Sequence, residues 1–395
     1  MDLIAPQPSP APILDEMARE SALLQMSSVQ PDSLICFSHL RWDFVYQRPQ
    51  HLMTRLAQRF PVFYVEEPVL RDLDQPNLAV VTHGVGVTVV VPILPDRLSP
   101  GEQVAAQRQL LDRFLAERNL TVPILWYYMP MMRAFSDHLP AVRIVYDCMD
   151  ELSAFLGAPP ELIEREAELL QAADVVLTGG ISLYEAKKGR HPNIYPFPSS
   201  IDVAHFASAR QLMPEPADQT SIPHPRLGHY AVLDERLDIE LLAYVADAQP
   251  NWQLILVGPV VKIDPAALPR RPNIHYLGPK RYEALPAYLS GWDLAIMPFA
   301  RNAATRFISP TKTPEYLAAG KRVVSTDVKD VVRTYGETGL VSIAATPELF
   351  VRAVERELNR QYDEAWLRQV DEMLARTSWD RTAGEMLSLL QGHEP

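Results

Sequence analysis

Short runs of β-branched and aromatic residues alternate along the chain with segments whose apolar residues recur at helical spacing, starting near Leu34. In the first half the predicted strands are Leu34–Phe37, Val62–Val65, Ile124–Tyr128, Arg143–Tyr146 and Asp174–Thr178, and the predicted helices are Gln50–Gln58, Gln103–Arg118 and Glu161–Ala172. Alternation of strand and helix favours a mostly parallel sheet covered by helices on both faces.

The alternation stops between about Tyr195 and Pro225 and then restarts. Prolines at 196, 198, 214, 216, 223 and 225 interrupt every candidate element in this stretch, which indicates a linker. After it the predicted strands are Gly228–Val232, Gln253–Val257, Ile274–Leu277, Leu294–Met297 and Arg322–Ser325, and the predicted helices are Ile239–Ala248, Tyr282–Ser290 and Pro314–Ala319. A second open α/β sheet follows from this pattern.

The predicted fold class is α/β, with two Rossmann-like open parallel sheets facing each other across a cleft. Ligands of such sheets bind outside the carboxyl ends of the strands. We expect a mobile, Pro-rich leader at residues 1–30, a first domain at 31–200, a linker at 201–225, a second domain at 226–378 and a C-terminal helix at 379–395.

The composition supports two packed domains and narrows the possible partners. The 395 residues are 47% apolar and 22% charged, which are ordinary globular values. The formal charge of −12, from 49 acidic and 37 basic residues, argues against a general nucleic-acid-binding surface. No signal peptide, membrane-spanning run or CxxC pair is visible, so we expect a cytoplasmic protein, with peripheral membrane contact left open.

Residues 301–333 carry seven basic residues and three acidic ones, a local excess of positive charge in an acidic protein. Within this segment Thr313 is predicted to be a helix N-cap, with Pro314 at the first helical position and Gly320 at the end. Free backbone amides there, together with Lys312, predict an anion site, and Glu315 could accept two ribose hydroxyls. The alternative is an ordinary helix start without a ligand.

The segment Ser309-Pro-Thr-Lys-Thr-Pro-Glu-Tyr-Leu-Ala-Ala-Gly-Lys-Arg-Val-Val-Ser resembles the donor-binding signature of GT-B glycosyltransferases of the GT4 type. The resemblance implies that Glu315 binds the nucleotide ribose and that Thr311 and Lys312 hold the diphosphate. His275-Tyr-Leu-Gly-Pro-Lys-Arg-Tyr282 is similar to the base-binding turn of the family. The remaining residues of the predicted donor site are Arg236, Gly258, Lys280, Tyr282 and Ser309.

Further similarities extend over most of residues 34–391. Residues 194–206 are similar to the family's interdomain crossover, and Trp379-Asp-Arg-Thr-Ala resembles the start of a C-terminal helix, here 379–395, that returns to the first domain. Residues 41–51 are similar to those of bacterial cell-surface polysaccharide glycosyltransferases, including teichuronic-acid-type ones. The chain differs from the family pattern at two places. Phe307 stands where the family has the first of two acidic residues. Of the two basic residues with which the family binds phosphate, Arg236 is the one present.

The candidate acceptor contacts follow the first strand: His39, Arg41, Trp42, Arg48 and Gln50. The planar ring of Trp42 is suited to contact the face of a sugar. The alternative is that Trp42 only packs against its own loop. Asp147 and Asp150 follow the strand at 143–146 and are the catalytic candidates. The resemblance favours Asp147 as the group that polarises the acceptor hydroxyl, whereas Asp150 could equally be a helix N-cap.

The resemblance implies a hexosyltransferase that moves a sugar from a nucleotide diphosphate sugar to a glycan, lipid-linked or small-molecule acceptor. It also implies retention at the anomeric carbon. No cofactor or metal is expected, because no Asp-x-Asp stands in a suitable place and basic side chains can stabilise the leaving diphosphate. The alternatives are a nucleotide-sugar epimerase or hydrolase on the same fold and a non-catalytic sugar-nucleotide-binding protein. An NAD dehydrogenase is disfavoured because no Gly-x-Gly-x-x-Gly follows a strand.

Overall fold

The computed structural model describes residues 30–391, except 212 and 362. Within them the N-terminal domain contains β1 (Leu34–Ser38), β2 (Val62–Glu66), β3 (Val69–Arg71), β4 (Asn77–Thr82), β5 (Val87–Pro95), β6 (Ile124–Tyr127), β7 (Arg143–Cys148), β8 (Val175–Thr178) and β9 (Ile194–Pro196). These strands form one sheet in the order β3-β5-β2-β1-β6-β7-β8-β9, and β4 pairs with β5 outside this order. All pairs are parallel except that of β4 with β5.

The C-terminal domain is a second, wholly parallel sheet. Its strands are β10 (Arg226–Tyr230), β11 (Gln253–Val257), β12 (Ile274–Gly278), β13 (Leu294–Met297), β14 (Val323–Ser325) and β15 (Ser342–Ile343). They lie in the order β12-β11-β10-β13-β14-β15. The predicted fold class, α/β with two Rossmann-like sheets, is therefore confirmed.

Helices cover both faces of each sheet. In the N-terminal domain they are α1 (Arg48–Leu56), α2 (Pro100–Glu117), α3 (Arg133–Ser136), α4 (Leu162–Ala172) and α5 (Ile181–Lys187). They continue with α6 (Val203–Ala207), α7 (Ala217–Thr220), α8 (Ile239–Ala248), α9 (Leu285–Ser290), α10 (Lys312–Ala318), α11 (Lys329–Val331), α12 (Pro347–Leu358), α13 (Glu364–Leu374) and α14 (Trp379–Leu390). Because helices cover both faces, every residue of β1 is buried.

The segment 201–225 is not the uninterrupted linker that its prolines indicate. It contains α6 and α7, and the side chains of Phe206 and Gln219 are fully buried. Gln219 accepts a hydrogen bond from the indole of Trp292 at 2.9 Å and donates one to the Tyr288 carbonyl at 3.1 Å. Proline limits the helices to four or five residues, but it does not prevent this segment from packing on the C-terminal domain.

The final helix, α14, packs on the N-terminal domain although it follows the C-terminal one in sequence. Ser378 caps it by accepting a hydrogen bond from the Arg381 amide, and Trp379 stacks on His51 of α1 with ring centroids 4.6 Å apart. Residues 1–29 of the predicted leader and residues 392–395 lie outside the described part of the chain. None of the described helices combines the length and the apolar character needed to cross a bilayer.

Candidate active site in the interdomain cleft

A cavity of about 390 Å³ lies between the two domains, where the strand order of each sheet reverses. One wall consists of residues 42–47, Met149 and Asp150 of the N-terminal domain. The opposite wall includes the ends of β10 and β11, the turn at 279–283 and residues 308–312 with Glu315. Carboxyl ends of strands at such reversals are where open α/β sheets bind their ligands.

The Glu315 carboxylate lies at the base of the C-terminal wall, held by two neighbours. Its Oε2 accepts a hydrogen bond of 2.5 Å from the Tyr230 hydroxyl and one of 3.2 Å from the Lys312 ammonium. The side chains of Lys312 and Glu315 are 18% and 9% exposed, so both reach the cavity while their stems are buried. Lys312 also lies 4.9 Å from the centroid of the Tyr230 ring. Lys312, the predicted diphosphate contact, and Glu315, the predicted ribose contact, are thus held in one geometry.

The start of α10 differs from the predicted one. The helix begins at Lys312 and its N-cap is Thr311, whose side chain makes no capping hydrogen bond. Thr313 is fully buried and its hydroxyl contacts the Met297 sulfur at 3.3 Å, so the prediction that Thr313 is the N-cap is wrong. Gly320 ends the helix with φ of 72°, a conformation that favours glycine.

Arg236 is a second cation on the cavity wall, and it is fixed rather than freely solvated. Asp234 accepts from its guanidinium through both carboxylate oxygens, at 2.9 and 2.7 Å. The Arg236 side chain is 25% exposed. Burial lowers the pKa of Arg236, but the contacts with Asp234 and the charge of Asp150 outweigh it and raise the pKa. Asp234 was not among the sequence candidates, although it stands two residues before Arg236.

The other predicted donor residues also line the cavity. Gly258 adopts φ of 142°, and a Cβ atom there would lie 1.7 Å from the Ala231 carbonyl oxygen, so only glycine fits. Lys280 is paired with Asp218 at 2.7 Å. The Tyr282 ring stacks on His205 with centroids 4.3 Å apart. Ser309 and Thr311 lie on the same wall. The structure thus brings the predicted donor set together.

Two predicted N-terminal site residues are buried away from the cleft. Arg48 and Asp147 form a bidentate ion pair with a shortest distance of 2.7 Å, and their side chains are 1% and 0% exposed. Arg48 also donates to the Phe197 carbonyl at 2.6 Å. Direct contact with an acceptor does not fit this burial. The assignment of Asp147 to catalysis and of Arg48 to acceptor binding is therefore corrected: the pair joins α1, β7 and the crossover segment.

Gln50 is also fully buried, and it supports the loop that forms the wall. Its amide donates to the Trp42 carbonyl at 2.9 Å and accepts from the Gln47 amide at 3.1 Å. The predicted acceptor contact is therefore corrected to a contact that shapes residues 42–47. The sequence predicts that Gln50 begins a helix, but the direction of its side chain depends on the path of the loop.

Trp42, Arg41 and His39 surround the same loop. Trp42 lines the cavity but is only 8% exposed, and its ring packs edge-on against Tyr64 with centroids 5.1 Å apart. Arg41 pairs with Glu66 at 2.9 Å and is 37% exposed, outside the cavity lining. Burial, with a smaller effect of Lys262, lowers the pKa of His39 to about 4. Of the predicted acceptor contacts, Trp42 is the one on the cavity wall.

Two carboxylates of the N-terminal domain line the cavity, and Asp150 is more buried than Asp43, whose side chain is 81% exposed. Burial raises the pKa of Asp150 to about 6, although the positive charges of Arg236 and Arg48 oppose this rise and Asp234 adds to it. The short helical turn that follows begins after Glu151, so Asp150 is not its N-cap. A carboxylate with a pKa near neutrality suits general base chemistry.

Two consecutive glycines allow close packing beside the cavity, Gly179 within the N-terminal domain and Gly180 against the C-terminal domain. A Cβ on Gly179 would lie 2.1 Å from the Met149 carbonyl oxygen, and one on Gly180 would collide with Asp330 and Ser309 of the C-terminal domain. Asp330 accepts from the Ser182 amide at 3.0 Å. Phe307, at the position of the absent family acid, packs against the N-terminal core. Thr178-Gly-Gly180 therefore serves domain packing.

Comparisons with known proteins agree with this geometry. Residues 235–360 match the family model described as Glycosyl transferases group 1. TuaH of Bacillus subtilis (strain 168), named as a teichuronic acid biosynthesis glycosyltransferase, is 26% identical in an alignment 281 residues long that covers 64% of this chain and 68% of TuaH.

Solved structures share the fold at low sequence identity. Sucrose-phosphate synthase from Thermosynechococcus elongatus superposes with a TM-score of 0.68 at 15% identity, over 92% of this chain and 99% of that one. A structure described as trehalose-6-phosphate from E. coli bound with UDP-2-fluoro glucose gives a TM-score of 0.66 at 12% identity, over 91% and 99% of the two chains.

The chain shares the two-domain fold of these solved structures, and its residues 235–360 are similar to group 1 glycosyl transferases. The matched family model and TuaH are both named as glycosyltransferases, which is the class that the resemblance implied.

Proposed function

We propose that the chain transfers a sugar from a nucleotide diphosphate sugar to a hydroxyl of a glycan, lipid-linked or small-molecule acceptor. The observation that carries this proposal is that one cavity has Lys312, Glu315 and Arg236 on its C-terminal wall and Asp150 on its N-terminal wall. A donor held by the first group would present its sugar to an acceptor beside Asp150. This proposal is supported by the name of TuaH, a teichuronic acid biosynthesis glycosyltransferase, and by the E. coli structure described as bound with UDP-2-fluoro glucose.

The donor is proposed to bind with its ribose at Glu315 and its diphosphate near Lys312 and Arg236. Tyr230 donates to one carboxylate oxygen of Glu315 at 2.5 Å and so fixes the orientation of that carboxylate. A fixed carboxylate can accept hydrogen bonds from two vicinal hydroxyls. The turn at 279–283, with Lys280 and Tyr282, then lies where the base would enter.

Leaving-group stabilisation is assigned to Arg236 and Lys312. The diphosphate gains negative charge as the glycosidic bond breaks, and preorganised cations lower the free energy of that transition state. Arg236 is held in place by Asp234, so little reorganisation is needed. We propose that these two side chains act without a metal ion, and that the reaction retains the configuration of the anomeric carbon.

Asp150 is proposed to accept the proton of the attacking hydroxyl, in place of Asp147. Its pKa of about 6 leaves most of it ionised at neutral pH, yet basic enough to accept a proton. The diphosphate itself is the alternative proton acceptor. The acceptor is proposed to bind along residues 42–47, beside Trp42.

The test is product analysis with a panel of nucleotide sugars, each with and without glycoside acceptors. We expect a new glycosidic bond with retained anomeric configuration by NMR, at a rate unchanged by EDTA. Rapid donor turnover without acceptor would instead indicate a hydrolase or epimerase. Nucleotide binding without any product across the panel would indicate a non-catalytic binding protein.

A further inference from the structure

The loop formed by residues 150–156 follows β7 and spans the entrance to the cleft. It begins with Asp150 on the cavity wall and makes a short 3₁₀ turn at Leu152–Ala154. It ends against the C-terminal domain, where the Leu156 amide donates to the Glu235 carboxylate at 3.0 Å. The Phe155 ring lies 5.3 Å from the Arg236 guanidinium and 5.1 Å from the Lys262 ammonium. One end of the loop is thus docked across the cleft.

The other end is anchored inside the N-terminal domain by Lys187, the last residue of α5. The Lys187 side chain is 3% exposed, and its ammonium lies 2.8 Å from Glu151 and 2.7 Å from Glu166. Burying a lysine charge is costly unless carboxylates pair with it. Glu151 is adjacent to Asp150, so the ion pair acts directly on the backbone that carries Asp150.

The Glu166 carboxylate has partners besides Lys187, and these separate its role from that of Glu151. It accepts from the Tyr146 hydroxyl at 2.9 Å and pairs with Arg190 at 2.8 Å. Burial raises the pKa of Glu166, but Lys187 and these hydrogen bonds outweigh it and the pKa is lowered. Glu166 therefore holds Lys187 in place, while Glu151 is the group through which Lys187 reaches the loop.

We propose that Lys187 is a positioning residue for the transfer reaction: through Glu151 it fixes residues 150–156 so that Asp150 faces the acceptor hydroxyl. This inference rests on the proposed role of Asp150 as proton acceptor. Lys187 does not line the cavity, so it acts through Glu151 and not on the substrate. Arg190, which pairs with Glu166 and is 40% exposed, touches the same cluster without touching the loop.

The experiment compares Lys187→Met, Lys187→Arg, Glu151→Gln and, as a matched control, Arg190→Met. We expect kcat to fall at least tenfold in Lys187→Met and Glu151→Gln, with the Kd for nucleotide diphosphate unchanged. Lys187→Arg should restore most of kcat, and Arg190→Met should stay within twofold of wild type. The Glu151 side chain is 18% exposed, so we expect Glu151→Gln to fold. This variant therefore tests the proposal even if Lys187→Met fails to fold.

A second readout needs no substrate. Hydrogen exchange of the amides at 152–156 should accelerate at least tenfold in Glu151→Gln and stay unchanged in Arg190→Met. Wild-type exchange and kcat in folded Glu151→Gln, or equal losses in Glu151→Gln and Arg190→Met, would overturn the inference. Asp150→Asn is measured in parallel. If Asp150→Asn retains wild-type kcat, the proposed role of Asp150 is wrong. If Asp150→Asn is inactive while Glu151→Gln is active, only the proposed role of Lys187 is wrong.

Discussion

The two sheet edges that face the cleft each carry a cation–carboxylate pair, and the pairs differ in exposure. At the N-terminal edge the side chains of Arg48 and Asp147 are 1% and 0% exposed, whereas at the C-terminal edge those of Lys312 and Glu315 are 18% and 9% exposed. The first pair joins three elements of one domain, and the second lies on the cavity wall. Charged residues at a strand's carboxyl end therefore indicate a site only when their polar atoms reach the cleft.

Asp150→Asn is the strongest test of this difference between buried and cleft-facing charges, because Asp150 lies three residues after the buried Asp147. We expect kcat to fall by about 10²–10⁴, the usual contribution of a general base. Asp247→Asn is the control, since the Asp247 side chain is 56% exposed and lies outside the cavity lining. Steady-state kinetics of both variants check the prediction, which fails if the two lose activity equally.

Arg48→Met should reveal the structural nature of the N-terminal pair. Removing one partner leaves Asp147 buried and unpaired, at a cost of about 3–5 kcal/mol in the free energy of unfolding. Arg108→Met, which breaks an exposed pair with Asp137, should cost less than about 1 kcal/mol. Urea unfolding measures both. Near-wild-type stability of Arg48→Met, with lost acceptor binding, would restore its predicted role at the acceptor site.

The pH dependence of the reaction tests Asp150 without mutation. Because its pKa is raised to about 6, the ionised form dominates above that pH, and kcat/KM should fall about tenfold per unit below it. A pH–rate profile from 4.5 to 8 measures this, and a flat profile between pH 5 and 7 would contradict it.

The same raised pKa has a consequence for stability. The folded chain binds this proton more tightly than the unfolded chain does, where an Asp pKa is about 3.9, so the contribution of Asp150 to stability falls as pH rises between about 4 and 6. Asp150→Asn should therefore have a higher Tm than wild type at pH 7. A lower Tm would indicate that Asp150 is a structural residue like Asp147.

Tyr230→Phe should produce the smallest effect, on the C-terminal pair. It removes the hydroxyl that orients Glu315, and we expect nucleotide affinity to weaken by about 0.5–1.5 kcal/mol. Tyr244→Phe, at a residue that is 39% exposed, is the matched control. Calorimetric titration measures the nucleotide affinity of both variants. Equal affinities would contradict a role for Tyr230 in donor binding.

The sequence predicted the fold and the donor wall because both depend on local patterns. The strands Gln253–Val257 and Leu294–Met297 and the helix Ile239–Ala248 have the predicted bounds. The signature around Glu315 is contiguous, so its residues reach the cavity together.

The acceptor wall could not be predicted in the same way, because it depends on contacts between distant segments. Arg48 and Asp147 are 99 positions apart in the sequence, and no local pattern indicates that they form a buried ion pair. Tyr230 of β10 likewise contacts Glu315 of α10 across 85 positions. Asp234 is the exception, since an acid two residues before Arg236 is a signal that the sequence did contain.

The most direct test of the account is titration of UDP, GDP and ADP into wild type, Lys312→Ala, Glu315→Ala and Lys329→Ala. Lys329 lies in the same basic segment but is 57% exposed and pairs with Glu185. We expect one nucleotide to bind wild type and Lys329→Ala equally, and Lys312→Ala and Glu315→Ala more weakly by about 1–3 kcal/mol. Binding of that nucleotide with the same affinity in all four proteins, or no binding to wild type, would contradict the account.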